Sequence, residues 1–164
     1  MNQLPELIRT ETWHPLIVHF PIVLLLVASI FKIIFLFNKR DVWDLGGSYL
    51  LYTGVISAWL AVYTGSLADA IVVRDLCDPI VLENHENMAY ILSILFSIAS
   101  VLDILWRFIP KLKILVMQIT IVLVMISGTA VLTYVGHQGA SLVYQQAAGV
   151  YVPSENCEEF IDKK

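Results

Sequence analysis

The side chains best suited to bind a cofactor or a metal are the four histidines, His14, His19, His85 and His137. Imidazole can ligate haem iron, zinc or copper, and it can also exchange a proton near neutral pH. His14 and His19 both stand at the start of an apolar run that extends from 14 to 37. Ionisable side chains at membrane depth are costly, so these two residues indicate a functional site.

The composition is typical of an integral membrane protein. Of the 164 residues, 58% are hydrophobic and 15% are charged, against about 25% charged in soluble domains. The net charge of −4, without a basic cluster, argues against a nucleic-acid partner. Residues 1–13 form a polar, interfacial lead-in that lacks the features of a signal peptide, so the first apolar run is predicted to be retained. No long-period repeat is apparent.

Four apolar stretches are long enough to cross a bilayer as helices, and they predict an all-α, four-transmembrane-helix bundle. The predicted spans are 14–37, 47–70, 85–108 and 114–135. The membrane domain is therefore expected to cover 14–137, and 138–164 to form a polar tail.

Local features of these spans carry further expectations. Pro21 lies inside the first span, where its missing N–H should bend the helix near His19. Gly54 and Ala58 are spaced to let a second helix approach closely. Asn84 is expected to cap the third span.

The basic residues predict how the bundle is oriented. One pair of connections is flanked by Lys32, Lys39, Arg40, Arg107, Lys111 and Lys113, and the opposite side carries Arg9, Arg74, Lys163 and Lys164. Short cytoplasmic loops are enriched in Lys and Arg, so both termini and the connection between the second and third spans are predicted to face away from the cytoplasm. All four histidines then lie in the outer third of the bundle.

Several chemical interpretations of four histidines at one depth remain open. Two imidazoles from different helices could hold haem b, with His19 as the first expected ligand because it is deepest and lies beside the bend. A zinc or copper site and a proton or quinone pocket are alternatives. The chain has no Cys-x-x-Cys-His attachment motif, so any haem would be non-covalent. In a scaffold or accessory subunit, the histidines would bind nothing.

Other polar residues are expected to serve the structure. Cys77 and Cys157 both lie on the predicted outer side, where a disulfide between them is favoured. Asp103 and Arg107 are four apart and can form an ion pair on one helix face. No nucleophile with a neighbouring base indicates a hydrolase or transferase, so an electron-transfer component is more plausible than a stand-alone enzyme.

The run His14-Pro-Leu-Ile-Val-His19-Phe-Pro21-Ile resembles the opening of a bacterial membrane family known as domain of unknown function 2231. Further similarity lies at Thr64–Asp69, at His85 with Asn87 and Ala89, and at Gly136–Gly139 before Leu142-Val143-Tyr144. The resemblance covers about 14–150. Such domains occur alone or fused to Rieske or cytochrome c-like modules, which implies work near membrane electron transfer. In a bacterial inner membrane the termini and the four histidines would then face the periplasm. The expected partner is a cytochrome c, a Rieske protein, a quinone or a larger respiratory-type complex. Family members often carry a histidine where this chain has Gln145 and Gln146.

Overall fold

A computed structural model describes residues 12–150, and this part of the chain is helical without any strand. The helices are α1 (Trp13–Ile17), α2 (His19–Phe37), α3 (Asp41–Val72), α4 (Pro79–Phe108) and α5 (Leu115–Gln146). Short 3-10 turns lie at Val73–Asp75 and Pro110–Leu112. Because α1 and α2 form one span, the described residues contain four helices long and apolar enough to cross a membrane. The predicted all-α, four-span fold is confirmed.

The first span is interrupted where its proline predicts. Pro21 has no N–H to donate to the carbonyl of Ile17, so the regular helix ends at Ile17 and resumes at His19. The Val18 N–H still bonds to the carbonyl of His14 at 3.1 Å, which keeps the two pieces in one span.

The third span begins earlier than predicted. The side chain of Asp78 accepts a hydrogen bond from the Ile80 N–H at 3.0 Å, and Pro79 occupies the first turn. An acidic cap followed by proline is a strong helix start. The expectation that Asn84 caps this helix was wrong, because Asn84 lies inside α4.

The second and fourth spans are also longer than predicted. α3 begins at Asp41, and both Asp41 and Asp44 lie in its first turn, where carboxylates stabilise the positive end of the helix dipole. α5 continues to Gln146, so the expected boundary between 137 and 138 falls inside a helix.

The four spans form a ring in which each packs against two neighbours, in the order α2, α3, α4, α5 and back to α2. At the centre lie Leu25, Leu51, Phe96 and Met125, none of which is exposed. A Cβ on Gly54 would lie 2.6 Å from Leu25 Cδ2, which confirms the predicted close approach at this glycine.

The structure reveals an internal repeat. Buried positions of α2 recur 71 residues later in α4, and those of α3 recur 74 residues later in α5. In α2 and α4 the matched residues include Leu25 with Phe96, Ala28 with Ala99, Ser29 with Ser100, and Lys32 with Asp103. In α3 and α5 they include Leu51 with Met125, Gly54 with Gly128, Ala61 with Val135, and Thr64 with Gln138. This repeat was not apparent from the sequence alone.

The two copies, α1–α3 (the first half) and α4–α5 (the second half), are related by a pseudo-two-fold axis along the bundle. In the ring, α2 lies diagonally opposite α4, and α3 lies opposite α5, as such an axis requires. The glycine contacts repeat as well, because a Cβ on Gly128 would lie 2.7 Å from the ring of Phe96, the equivalent of Leu25. Few identities survive between the halves, since a membrane bundle accepts many apolar residues at each packed position.

Candidate functional site: a histidine pair on the pseudo-two-fold axis

His14 and His85 occupy equivalent positions in the two halves, and their rings meet across the axis. The ring centroids are 6.2 Å apart and the ring planes lie at 88° to each other. Both side chains are half-buried, at the end of the bundle where the first and third spans begin. We call this end the histidine end.

Each imidazole is fixed through its Nδ1 atom. His14 Nδ1 lies 2.9 Å from the carbonyl oxygen of Ala61, and His85 Nδ1 lies 3.1 Å from that of Val135. A carbonyl oxygen only accepts hydrogen bonds, so Nδ1 is the protonated, donating nitrogen in both rings. In a neutral imidazole this leaves the lone pair on Nε2, which is the tautomer that metal-ligating histidines adopt.

Two glycines make room for the rings. Gly65 lies four residues, about one helical turn, after Ala61, whose carbonyl bonds to His14. Gly139 lies four residues after Val135, whose carbonyl bonds to His85. A Cβ on Gly65 would lie 3.1 Å from His14 Cε1, and one on Gly139 would lie 3.3 Å from His85 Cε1. Both contacts are tight, so glycine lets each imidazole lie against the backbone of its neighbouring helix.

A further polar residue, Gln138, lies on the turn of α5 that holds His85. Its equivalent, Thr64, has its hydroxyl 3.5 Å from His14 Nδ1. Gln138 is 8% exposed, and its Nε2 donates to the Tyr134 hydroxyl at 3.0 Å. Its Oε1 has no hydrogen-bond partner within the described range. A buried acceptor without a partner indicates a ligand or water nearby.

The other two histidines are not part of this pair. His19 and His137 are exposed on the surface of the bundle. Their equivalents in the opposite halves are Tyr90 and Tyr63, which are also exposed. Amphipathic rings at one depth on a bundle surface are typical of a membrane-interface belt.

A second polar cluster lies at the opposite end of the bundle. The charge cluster consists of Lys32, Asp44, Ser48, Tyr52, Asp103 and Arg107. Lys32 Nζ is 2.6 Å from Asp103 Oδ1 and 2.8 Å from Asp44 Oδ1. The expected pair of Asp103 and Arg107 is present at 3.8 Å, but it belongs to this wider network.

Sequence reasoning missed the charge cluster because it treated Lys32 as a residue flanking a loop. Lys32 is 4% exposed and donates to Ser48 Oγ at 2.7 Å. The signal was present in the sequence, since a lysine enclosed by apolar residues inside a span requires a buried partner.

No group of three or more His, Cys, Asp and Glu side chains comes together as a metal site between residues 12 and 150. Cys77 is exposed, and Cys157, its predicted disulfide partner, lies outside the described residues.

The fold and the site define a small multi-span membrane protein with an imidazole pair on its internal symmetry axis. Residues 10–151 match the family described as predicted membrane protein DUF2231, and the chain belongs to this family. No curated protein and no solved structure matches the chain.

Proposed function

We propose that the chain binds one haem b between His14 and His85 and serves as a membrane electron-transfer protein or subunit. The observation that carries this proposal is the imidazole pair itself. The two equivalent rings are each fixed through Nδ1 to a carbonyl, which leaves an Nε2 lone pair on each ring available for ligation.

The spacing of the rings suits a shared metal ion. An imidazole nitrogen ligates a metal at about 2 Å and lies about 1 Å from its own ring centre, so two imidazoles on opposite sides of one ion would have centroids about 6 Å apart. The separation of 6.2 Å between His14 and His85 agrees with this value.

The number of donors favours haem over zinc or copper. A structural zinc site needs four protein ligands and a catalytic one usually three. Haem iron needs two axial ligands, because the porphyrin supplies the rest. Among residues 12–150, the two imidazoles have no third ligating side chain nearby, and this donor set therefore suits haem iron better.

The residues around the pair would hold and protect the cofactor. The carbonyls of Ala61 and Val135 orient the imidazoles, and Gly65 and Gly139 keep Cβ atoms away from the ring edges. Haem iron, if bound, would supply one-electron transfer, and the imidazoles of His14 and His85 would hold it and help to set its potential.

The proposed orientation places the histidine end at the periplasmic face of a bacterial inner membrane. Two of the six basic residues first assigned to the opposite side, Lys32 and Arg107, are paired inside the bundle. The four basic residues that remain at that end are Lys39, Arg40, Lys111 and Lys113. In the described part of the histidine end the basic residue is Arg74. The charge excess still favours a cytoplasmic location for these two connections. A reporter fused after Lys164 should be active only outside the cytoplasm. Activity in the cytoplasm would contradict this orientation.

A periplasmic histidine end would be accessible to a cytochrome c, a Rieske protein or a quinone as redox partner. It would also permit the Cys77–Cys157 disulfide. Mass spectrometry of non-reduced peptides tests that bond, and complete alkylation of both thiols without reductant would exclude it.

The visible spectrum of the purified protein tests the haem. We expect a Soret band, sharp bands in the reduced state, and a pyridine haemochrome of the b type. His14→Ala or His85→Ala should abolish the low-spin spectrum, because each removes one axial ligand. His19→Ala and His137→Ala are the matched controls and should retain it.

The alternatives give different results in the same experiment. Colourless protein with stoichiometric zinc or copper would replace haem with a metal site. If haem, metal and quinone are all absent after supplementation, a scaffold or accessory role is favoured. If the His19 and His137 variants lose the spectrum instead, the histidine pair is the wrong site.

A further inference from the structure

The residues at the two ends of the pseudo-two-fold axis differ in their chemistry. At the histidine end the equivalent residues are identical, His14 and His85. At the other end they are opposite in charge, because Lys32 is equivalent to Asp103, and the two pair across the axis at 2.6 Å. The two halves therefore differ in charge at these equivalent buried positions.

Asp103 is 1% exposed, and its closest donors all belong to the first half. Lys32 Nζ donates to Oδ1, while Ser48 Oγ and Tyr52 OH each donate to Oδ2 at 2.6 Å. Within the described part of its own half, Asp103 pairs only with Arg107, at 3.8 Å.

The second half has no matching set of donors. The positions equivalent to Ser48 and Tyr52 are Val122 and Ile126, and the position equivalent to Asp44 is Gln118. A second half that faced another second half would bury two Asp103 carboxylates without these hydroxyl donors. A first half that faced another first half would bring two Lys32 ammonium groups to the axis.

We propose that the charge cluster determines which halves pair: it favours pairing of the first half with the second and disfavours pairing of like halves from two copies of the chain. Each first half therefore pairs with a second half. Two similar units in one chain could otherwise exchange between copies, as in domain swapping. In a like pairing Lys32 would keep Asp44 and Asp103 would keep Arg107, but the Lys32–Asp103 ion pair would be replaced by two buried charges of the same sign at the axis. Like charges brought together in a buried site are destabilising, so the like pairings are penalised. This inference does not depend on what the histidine pair binds.

Two full-length variants with reversed charges test the proposal. Asp103→Lys places two lysines across the axis, and Lys32→Asp places two aspartates there, so each variant alone should fail to yield folded protein. Co-expressed with different tags, they should purify as a 1:1 complex. In that complex, the unaltered first half of the Asp103→Lys chain can pair with the unaltered second half of the Lys32→Asp chain.

The proposal is overturned if either variant alone purifies as a folded monomer of wild-type thermal stability. It is also overturned if both fail alone and co-expression yields no 1:1 complex, because the cluster would then support folding without selecting a partner.

A variant that removes the difference between the halves gives a second test. Lys32→Leu with Asp103→Leu makes one equivalent pair identical, and Asp44→Gln and Arg107→Leu introduce the residues found at the equivalent positions Gln118 and Leu36. If this variant folds, differently tagged copies should co-purify several-fold more than wild-type copies do. The single substitution Asp41→Leu, at an exposed carboxylate of the same end, should stay at the wild-type level. Co-purification of the four-fold variant at the wild-type level would contradict the proposal.

Discussion

The histidine end and the charge cluster occupy the two ends of one pseudo-two-fold axis, yet they satisfy their polar atoms in different ways. In the charge cluster, Lys32 and Asp103 have several partners each within the bundle. At the histidine end, Nδ1 of each ring is bonded, but Nε2 has no hydrogen bond within the described range, and neither has Gln138 Oε1.

Unpartnered polar atoms do not separate the two ends, because Trp43 Nε1, Ser100 Oγ and Trp106 Nε1 beside the charge cluster are also buried without a hydrogen-bond partner in the described range. What differs is how the ionisable groups are paired. The charged groups of the cluster bond to one another, which specifies how the core assembles. The two imidazoles use only Nδ1 in hydrogen bonds to carbonyls, which leaves Nε2 available to ligate a metal ion. The symmetric end is thus the one suited to a ligand, and the asymmetric end is the one suited to hold the halves together.

Breaking the charge cluster should have the largest effect on stability. Asp103→Ala leaves the Lys32 ammonium, the Ser48 hydroxyl and the Tyr52 hydroxyl without their carboxylate, and we expect a loss of about 3–5 kcal/mol in the free energy of unfolding. Loss of helical circular dichroism during denaturation in mixed micelles measures it.

Two controls show whether the loss comes from the unpaired charge. Asp41→Ala removes an exposed carboxylate in the first turn of α3 and should change stability little. Lys32→Leu combined with Asp103→Leu removes both charges and should cost less than Asp103→Ala alone. A double variant as unstable as Asp103→Ala would contradict this account.

The middle of the bundle should be less sensitive than the charge cluster. Gly128→Ala places a methyl group 2.7 Å from the Phe96 ring, and overpacking of this kind costs about 1–3 kcal/mol. Gly136→Ala in the same helix is the matched control, since nothing lies within 4 Å of its Cβ. Alanine favours helices more than glycine does, so the control should be neutral or slightly stabilising. Equal stability of the two variants would mean that the close contact at Gly128 does not matter.

The smallest effect on stability is expected at the histidine end, where the change should appear in binding. Gly65→Ala adds a methyl group 3.1 Å from His14 Cε1, so the ring must shift by a few tenths of an ångström. We expect a several-fold loss in haem affinity, measured by haem titration, with little change in unfolding. Gly139→Ala meets His85 Cε1 at 3.3 Å and should have a weaker effect. A large loss of stability without a change in affinity would assign Gly65 to packing.

Much of the fold follows from the sequence alone. Four long apolar runs determine four spans, because a bilayer accepts helices whose backbone polar groups bond internally. The interruption before Pro21 and the close approach at Gly54 follow from the chemistry of those residues. The helix ends were less predictable, because polar residues such as Asp41 and Gln146 extend helices beyond the apolar runs.

Only the tertiary structure determines which polar residues meet. From the sequence, all four histidines were candidates and His19 was the first expected ligand, but packing brings His14 and His85 together and leaves His19 and His137 exposed, because of the helix face on which each residue lies. Lys32 resembled a residue beside a loop until its contacts with Asp44 and Asp103, distant in sequence, placed it in the core. The repeat was concealed for the same physical reason: apolar packing tolerates substitution, so the halves retain a common pattern of burial after most of their common residues have changed.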